Sequence, residues 1–395
     1  MLALGTAAQA TGTVYLYGLA FLVPAFRREY PGLTLAEAGL IVAAPGIGMV
    51  LGVLAWGAVA DRRGERFVVT AGLGTAAAAL GAAAVTGGAA LEGLLVLAGI
   101  GGSAVHAASG RVVTGWFAPG ERGLAMGIRQ ASQPAGVAIA GAALPALAGW
   151  GGTSAALLTA AAACLAAAVV CGCFLTDAAV PVTPATDGTG SPYRRPRLWR
   201  IHGGSALFVL AQAAIGAFAL DYLVTQRGWA PAAAGPLLAA AQLCGGAARI
   251  AGGRWSDRVG DRIRPLRAMA LAAAAATGLL AAASASGLAA TVPVLLVAMV
   301  LTVGWHGIGY AAVAEAAPAN WSGRALGAQT TIQNVAGAIA PPAFGALAGW
   351  AGYPIAYAAL SVTPLAAALA FPRTRTGKAT PTTNPRVATA NTSRG

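Results

Sequence analysis

The chain alternates long apolar runs with short polar breaks. Twelve runs are long enough to cross a bilayer, at 2–25, 36–59, 67–87, 91–116, 123–147, 152–175, 202–224, 232–254, 265–286, 290–315, 324–347 and 351–371. A spanning helix needs about 20 apolar residues. Within each run the apolar character is continuous rather than alternating, which excludes the strands of a membrane barrel. A segment surrounded by lipid must satisfy its own backbone, so each run is expected to be a helix. The predicted fold is therefore all-α and integral to the membrane, with twelve transmembrane helices. The first run opens almost at Met1 and continues too long for the apolar region of a secretory leader, so no cleavable signal peptide is expected.

Two of the breaks are alike. Gly57, Asp61, Arg62, Gly64 and Arg66 recur in the same order as Gly253, Asp257, Arg258, Gly260 and Arg262. The likeness extends into the spans. Arg122–Gly127 opens the fifth span much as Ser322–Gly327 opens the eleventh, and Ala-Leu-Ala-Gly-Trp closes both, at Trp150 and Trp350. Gln133 matches Gln333 and His106 matches His306, each at an offset of 200 residues. Such self-similarity predicts two six-helix halves in parallel orientation, at 1–175 and 202–372. Parallel repeats of this kind place a substrate site near the membrane midplane, between the halves. Residues 176–201, polar and then basic, read as a cytoplasmic linker, and the Thr-, Pro- and Asn-rich residues 373–395 as a disordered cytoplasmic tail.

Composition agrees: 57% of residues are hydrophobic and 9% charged, and the mean hydropathy is +0.69. The net charge of +13 comes from Arg crowded into alternate breaks and the tail, while the other breaks hold only Arg27, Arg28 and Arg227. That asymmetry orients spans with basic loops inside. Both termini are then cytoplasmic, and the expected location is the inner (plasma) membrane of the cell. No basic face exists outside the breaks, so no nucleic-acid partner is expected. The four cysteines all fall in apolar runs without zinc-site spacing and read as packing residues.

At the two charged loops the chain resembles the major facilitator superfamily of secondary transporters, whose signature is Gly-x-Leu-x-Asp-Arg-x-Gly-Arg-Arg between spans two and three. Val59 stands for the usual Leu, and Glu65 replaces the first Arg of the closing pair. The resemblance covers residues 1–372 and implies a rocker-switch carrier. It also implies that Asp61 meets the start of span eleven near Ser322, and Asp257 the start of span five near Arg122, when the cytoplasmic side is closed. Glu121–Gln130 is similar to bacterial permeases of the cyanate and nitroimidazole type. The loop chemistry supports such contacts independently, because a carboxylate at a helix end pairs with Arg or with the positive end of a neighbouring helix.

Ionisable residues inside spans are costly and mark function. Arg129 and Gln133 share one helical face, related by the repeat to Gln329 and Gln333, with Asn334 adjacent. Arg249, His106, His306 and Tyr310 complete the substrate-cavity candidates, with Tyr15, Tyr17 and Gln212 as further polar groups. Arg111, Asp221 and Glu315 lie near span ends and read as gate or proton-coupling residues. Bases outnumber acids, so a shared cavity carries a positive field that favours an anion. An Arg fork suits a carboxylate or other oxyanion.

The expected function is secondary transport of a small organic or inorganic anion by alternating access; the alternative is proton-coupled multidrug efflux. Against the alternative, span one holds no acid, and Gln133-Pro134-Ala-Gly136 only partly matches the motif of drug antiporters. No phosphate-binding loop occurs, so ATP is not expected to drive transport. Neither a metal cluster nor a catalytic constellation is found, so neither an enzyme nor a cofactor is expected, and a monomer suffices.

Overall fold

The computed structural model describes residues 2–116, 122–177, 192–194, 196–318 and 322–373. The side chains of Leu2, Leu54, Asp61, Pro192, residues 108–116 and 122–131, and residues 322–323 lie outside that description. Helices account for nearly all of it: α1 (Leu2–Leu16), α2 (Val23–Glu29), α3 (Leu35–Ala83), α4 (Gly88–Trp116), α5 (Arg122–Phe174), α6 (Pro196–Arg227), α7 (Pro231–Val259), α8 (Ile263–Ala285), α9 (Thr291–Gly304), α10 (His306–Ala316) and α11 (Ser322–Ala370). Three of these fold back on themselves. Each of α3, α5 and α11 is two membrane-length arms joined at a glycine, namely Gly64, Gly152 and Gly352, each with φ between 71° and 82° and ψ near 180°. Two other spans are broken within the bilayer. The first consists of α1, a 3-10 turn at Gly18–Leu22 and α2, and the tenth consists of α9 and α10, parted at Trp305. The result is the twelve-helix membrane fold that the hydropathy pattern predicts.

The helices overrun the expected spans at their polar ends. α6 begins at Pro196, so the basic stretch expected to end the linker is already helix. It is held there by Arg200, whose guanidinium donates to the carbonyls of Leu369, Ala370 and Phe371 at 2.9–3.2 Å and satisfies the end of α11. The first arm of α3 likewise continues through Gly57 to Arg63. Only the second of the two loop glycines therefore makes a turn.

The outward faces are apolar, as lipid requires. Leu165, Val169, Phe174, Val362 and Leu369 are more than half exposed. Trp150 and Trp350, which close the repeated pentapeptides, are each 85% exposed, where an amphipathic ring suits the membrane boundary. Helices before and after the linker meet chiefly along two crossings, α3 with α11 and α5 with α7, and α2 with the adjoining 3-10 turn also touches α6. At the end of the bundle opposite the linker these crossings are backbone-close. A Cβ on Gly39 would lie 2.5 Å from the Pro341 carbonyl, Gly345 is pressed on the Leu35 carbonyl, and Gly235 on that of Gly141. Small residues permit such approaches in membranes.

Candidate functional site

The two broken spans and the α5–α7 crossing bring polar side chains together near the middle of the bundle. Arg249 of α7 is partly buried. Its Nε donates to the Val303 carbonyl at 3.1 Å, and its Nη1 to Gln133 Oε1 of α5 at 3.2 Å. The second bond crosses from one half of the chain to the other. Tyr17, at the break of the first span, lies beside both Gln133 and Arg249. His306, just after the break at Trp305, also neighbours Arg249, and its Nδ1 has no hydrogen-bond partner. Tyr310, one turn further along α10, donates to Gln333 Oε1 at 3.1 Å and stands 3.2 Å from Thr330. The Trp305 ring stacks on Phe208 at 4.8 Å and 6°, which fixes the wall behind His306.

The charge of this cluster is the informative part. Among the described residues, no carboxylate forms an ion pair with Arg249. A guanidinium held among hydroxyls, amides and an imidazole keeps its positive field, so the arrangement can accept an anion.

Six sequence-derived cavity candidates thus meet: Tyr17, Gln133, Arg249, His306, Tyr310 and Gln333. Others go elsewhere. Gln329 is fully buried against His202, with Nδ1 and Oε1 2.5 Å apart, inside the second half. His106 turns back to the Gly102 carbonyl of its own helix at 3.4 Å. Asn334 is partly buried, next to Gln333. Tyr15 is a core residue that donates to the Ala98 carbonyl at 2.9 Å. The side chains of Arg111 and Arg129 lie outside the described residues.

The gate candidates separate by end. Opposite the linker, Asp221 is fully buried and accepts from Arg27 at 3.0 and 3.2 Å and from Tyr353 at 2.6 Å. Arg27 belongs to the first half and Asp221 to the second, so this ion pair ties the halves together. Sequence reasoning had Asp221 but not its partner, because Arg27 read only as a loop charge. At the linker end, Arg262 bridges Asp257 and Glu315, the latter at 2.9 Å. Partial burial works against the Arg262 charge, but both carboxylates hold its pKa above the ordinary guanidinium value. Asp257 is therefore paired within its own half, while the Asp61 side chain lies outside the described residues. Arg258 lies in the last turn of α7, and Gly260 caps the helix with φ 66°. In the first loop, Asp177 plays a part that the sequence did not reveal. Its Oδ1 accepts the amides of Glu65 and Arg66 at 2.5 and 2.9 Å and caps the second arm of α3.

The model of the Major Facilitator Superfamily matches residues 2–341. The chain belongs to this superfamily. It is 41% identical over 364 residues to an uncharacterized MFS-type transporter of Mycobacterium tuberculosis CDC 1551, covering 91% of this chain and 81% of the relative. A counterpart in strain H37Rv is 40% identical over the same length. Among solved structures, a bacterial homolog of the human lysosomal transporter Spinster, in an inward-facing and occupied conformation, superposes with a TM-score of 0.77 at 15% identity, covering 94% of this chain and 93% of that one. A mutant peptide transporter gives 0.75 at 15% identity, with the same coverage. A mutant nucleoside transporter gives 0.72 at 14% identity, covering 94% and 99%. At these identities the structures attest the shared fold. The protein is a multi-pass secondary transporter of the superfamily.

Proposed function

We propose that this transporter carries a small organic or inorganic anion, and that Arg249 is the group that binds it. The observation behind this reading is the interior guanidinium without a described carboxylate partner. Gln133 orients the guanidinium, and Tyr17, His306 and Tyr310 supply the remaining polar contacts. Arg129, four residues before Gln133 on the same face, is a second cation for the same cavity.

Transport proceeds by rocking residues 1–175 against 202–372 around this site. The Arg bias makes the linker end cytoplasmic, so the tight crossings opposite it close the outer side. The conformation is then inward-facing, with Arg27–Asp221 as the outer latch. The loops at Gly57–Arg66 and Gly253–Arg262 gate the inner side; Arg111 and Glu315 serve there, and Asp61 is the first group to engage when that side closes.

Uptake into proteoliposomes, with panels of small anions and of cationic drugs, tests the proposal. Wild type is expected to take up an anion saturably. Losing a charge-assisted contact of about 2–3 kcal/mol predicts at least a 30-fold fall in kcat/KM for Arg249→Ala. Saturable uptake of cationic drugs alone, indifferent to Arg249→Ala, would refute it.

A further inference from the structure

A groove lies in the outward-facing surface, beneath the first charged loop. Where the start of the second arm of α3 meets the end of the second arm of α5, this groove of about 350 Å³ is lined by Arg63, Arg66, Phe67, Thr70, Gly172 and Asp177. Each group is held in a definite way. The Arg63 guanidinium sits 4.9 Å above the Phe67 ring. Arg66 Nε donates to the Gly172 carbonyl at 2.7 Å, which fixes the fork and leaves its two terminal nitrogens to other acceptors. Both side chains are exposed, and among the described residues neither forms an ion pair.

Asp177 keeps its negative charge while its Oδ1 accepts the Glu65 and Arg66 amides, so it offsets only one of the two guanidiniums. Thr70 Oγ1 is buried and has no hydrogen-bond partner, unlike Thr75 on the same arm, which donates to the Ala71 carbonyl at 2.9 Å. The groove therefore carries two guanidiniums against one carboxylate, a net positive charge, with the Thr70 hydroxyl at its wall. It opens beside bare apolar surface: Phe67 is 41% exposed, and Val169, one turn before Gly172, is 57% exposed.

We propose that this groove binds an anionic phospholipid from the leaflet at the linker end. The phosphodiester lies between Arg63 and Arg66, with Thr70 donating to it, and an acyl chain runs along Phe67 and Val169. A free phosphate would use the charges but not the apolar flank, so the flank selects the lipid. The site shares Arg66 with the gating loop, and Asp177 braces both, so a bound lipid stiffens the turn at Gly64.

Native mass spectrometry of the detergent-purified protein, titrated with dioleoyl phosphatidylglycerol, dioleoyl phosphatidylcholine or inorganic phosphate, tests the site. Phosphatidylglycerol is expected to be retained about tenfold over phosphatidylcholine. Arg63→Gln, which removes a side chain whose described contact is the Phe67 ring, should weaken phosphatidylglycerol binding about fivefold, the weight of one arginine at an anionic surface. Thr70→Val, nearly isosteric, should weaken it two- to threefold with unchanged thermal stability. Equal retention of the two lipids, undiminished phosphatidylglycerol binding in Arg63→Gln, or displacement of phosphatidylglycerol by millimolar phosphate would each overturn the assignment.

Discussion

Arg249 is the residue on which the proposed function rests, and its environment shows how far single residues can be read from sequence. Its presence in a span made it a candidate, but its position also suited a gate, eight residues before Asp257 on the same face. The structure sets it beside Gln133 and His306, which supports the proposed cavity role. Residues that the repeat relates do not all make corresponding contacts. His306 joins the cluster, while its repeat partner His106 bonds to its own helix. Gln333 joins Tyr310, while Gln329, one turn away, pairs with His202. Residues four apart share a face, so helical spacing cannot choose between them. The Gln133 contact gives a direct prediction. In Gln133→Glu a carboxylate would replace the amide oxygen 3.2 Å from Arg249 and supply an internal counter-ion. Anion uptake should fall at least tenfold with little change in melting temperature, as measured by initial rates and a thermal shift on one preparation. Uptake at the wild-type rate would mean that Arg249 does not seat the anion.

At the scale of elements, apolar run lengths gave the helices to within a few residues, but not the way they turn. Gly57 and Gly64 look equivalent in the motif, and the structure gives them opposite roles. Gly64 has φ 79° and ψ 174°, a region open in practice only to glycine, and a Cβ there would lie 2.5 Å from the Asp177 carboxylate. Gly57 lies inside a helical arm with nothing within 4 Å of an added Cβ. Gly64→Ala should therefore cost about 2–3 kcal/mol, from backbone strain and loss of the Asp177 cap together. Gly57→Ala should be neutral or should stabilise by up to about 1 kcal/mol, since alanine is the better helix former. Thermal unfolding in one detergent compares the two, and equal losses would contradict this reading of the turn. The role of Asp177 was not legible, because it lies 111 residues from Arg66 and no local pattern links a residue after span six to the start of span three.

For the whole molecule, the decisive contact is the one that ties the halves opposite the linker. Exposed ion pairs contribute little, about 0–1 kcal/mol, whereas breaking a buried one costs about 3–5 kcal/mol. Arg27–Asp221 lies between these cases, with Asp221 fully buried and Arg27 one-third exposed. A bias of about 2 kcal/mol toward the conformation closed at that end follows, or roughly 30-fold in a two-state equilibrium. Asp221→Asn should shift the population accordingly. Spin labels on cysteines placed at Pro31 and Gln226, both exposed at that end and one in each half, would report it as a longer mean distance, once exposed Cys173 and Cys244 are removed. An unchanged distance distribution would show that the backbone-close crossings at Gly39 and Gly235 hold the end shut without the ion pair.

The sequence by itself determined that the chain crosses a membrane twelve times, that its halves repeat, and that two charged loops mark it as a carrier. Those properties follow from transfer free energies and turn chemistry, which are local and additive along the chain. Only the tertiary structure decided that Arg249 faces Gln133 rather than an acid, that Asp221 finds Arg27, and that Asp177 caps a helix from across the bundle. Such partners lie 111 to 194 residues apart. They meet because helices cross at a particular depth and register, which close packing at small residues sets and hydropathy does not encode.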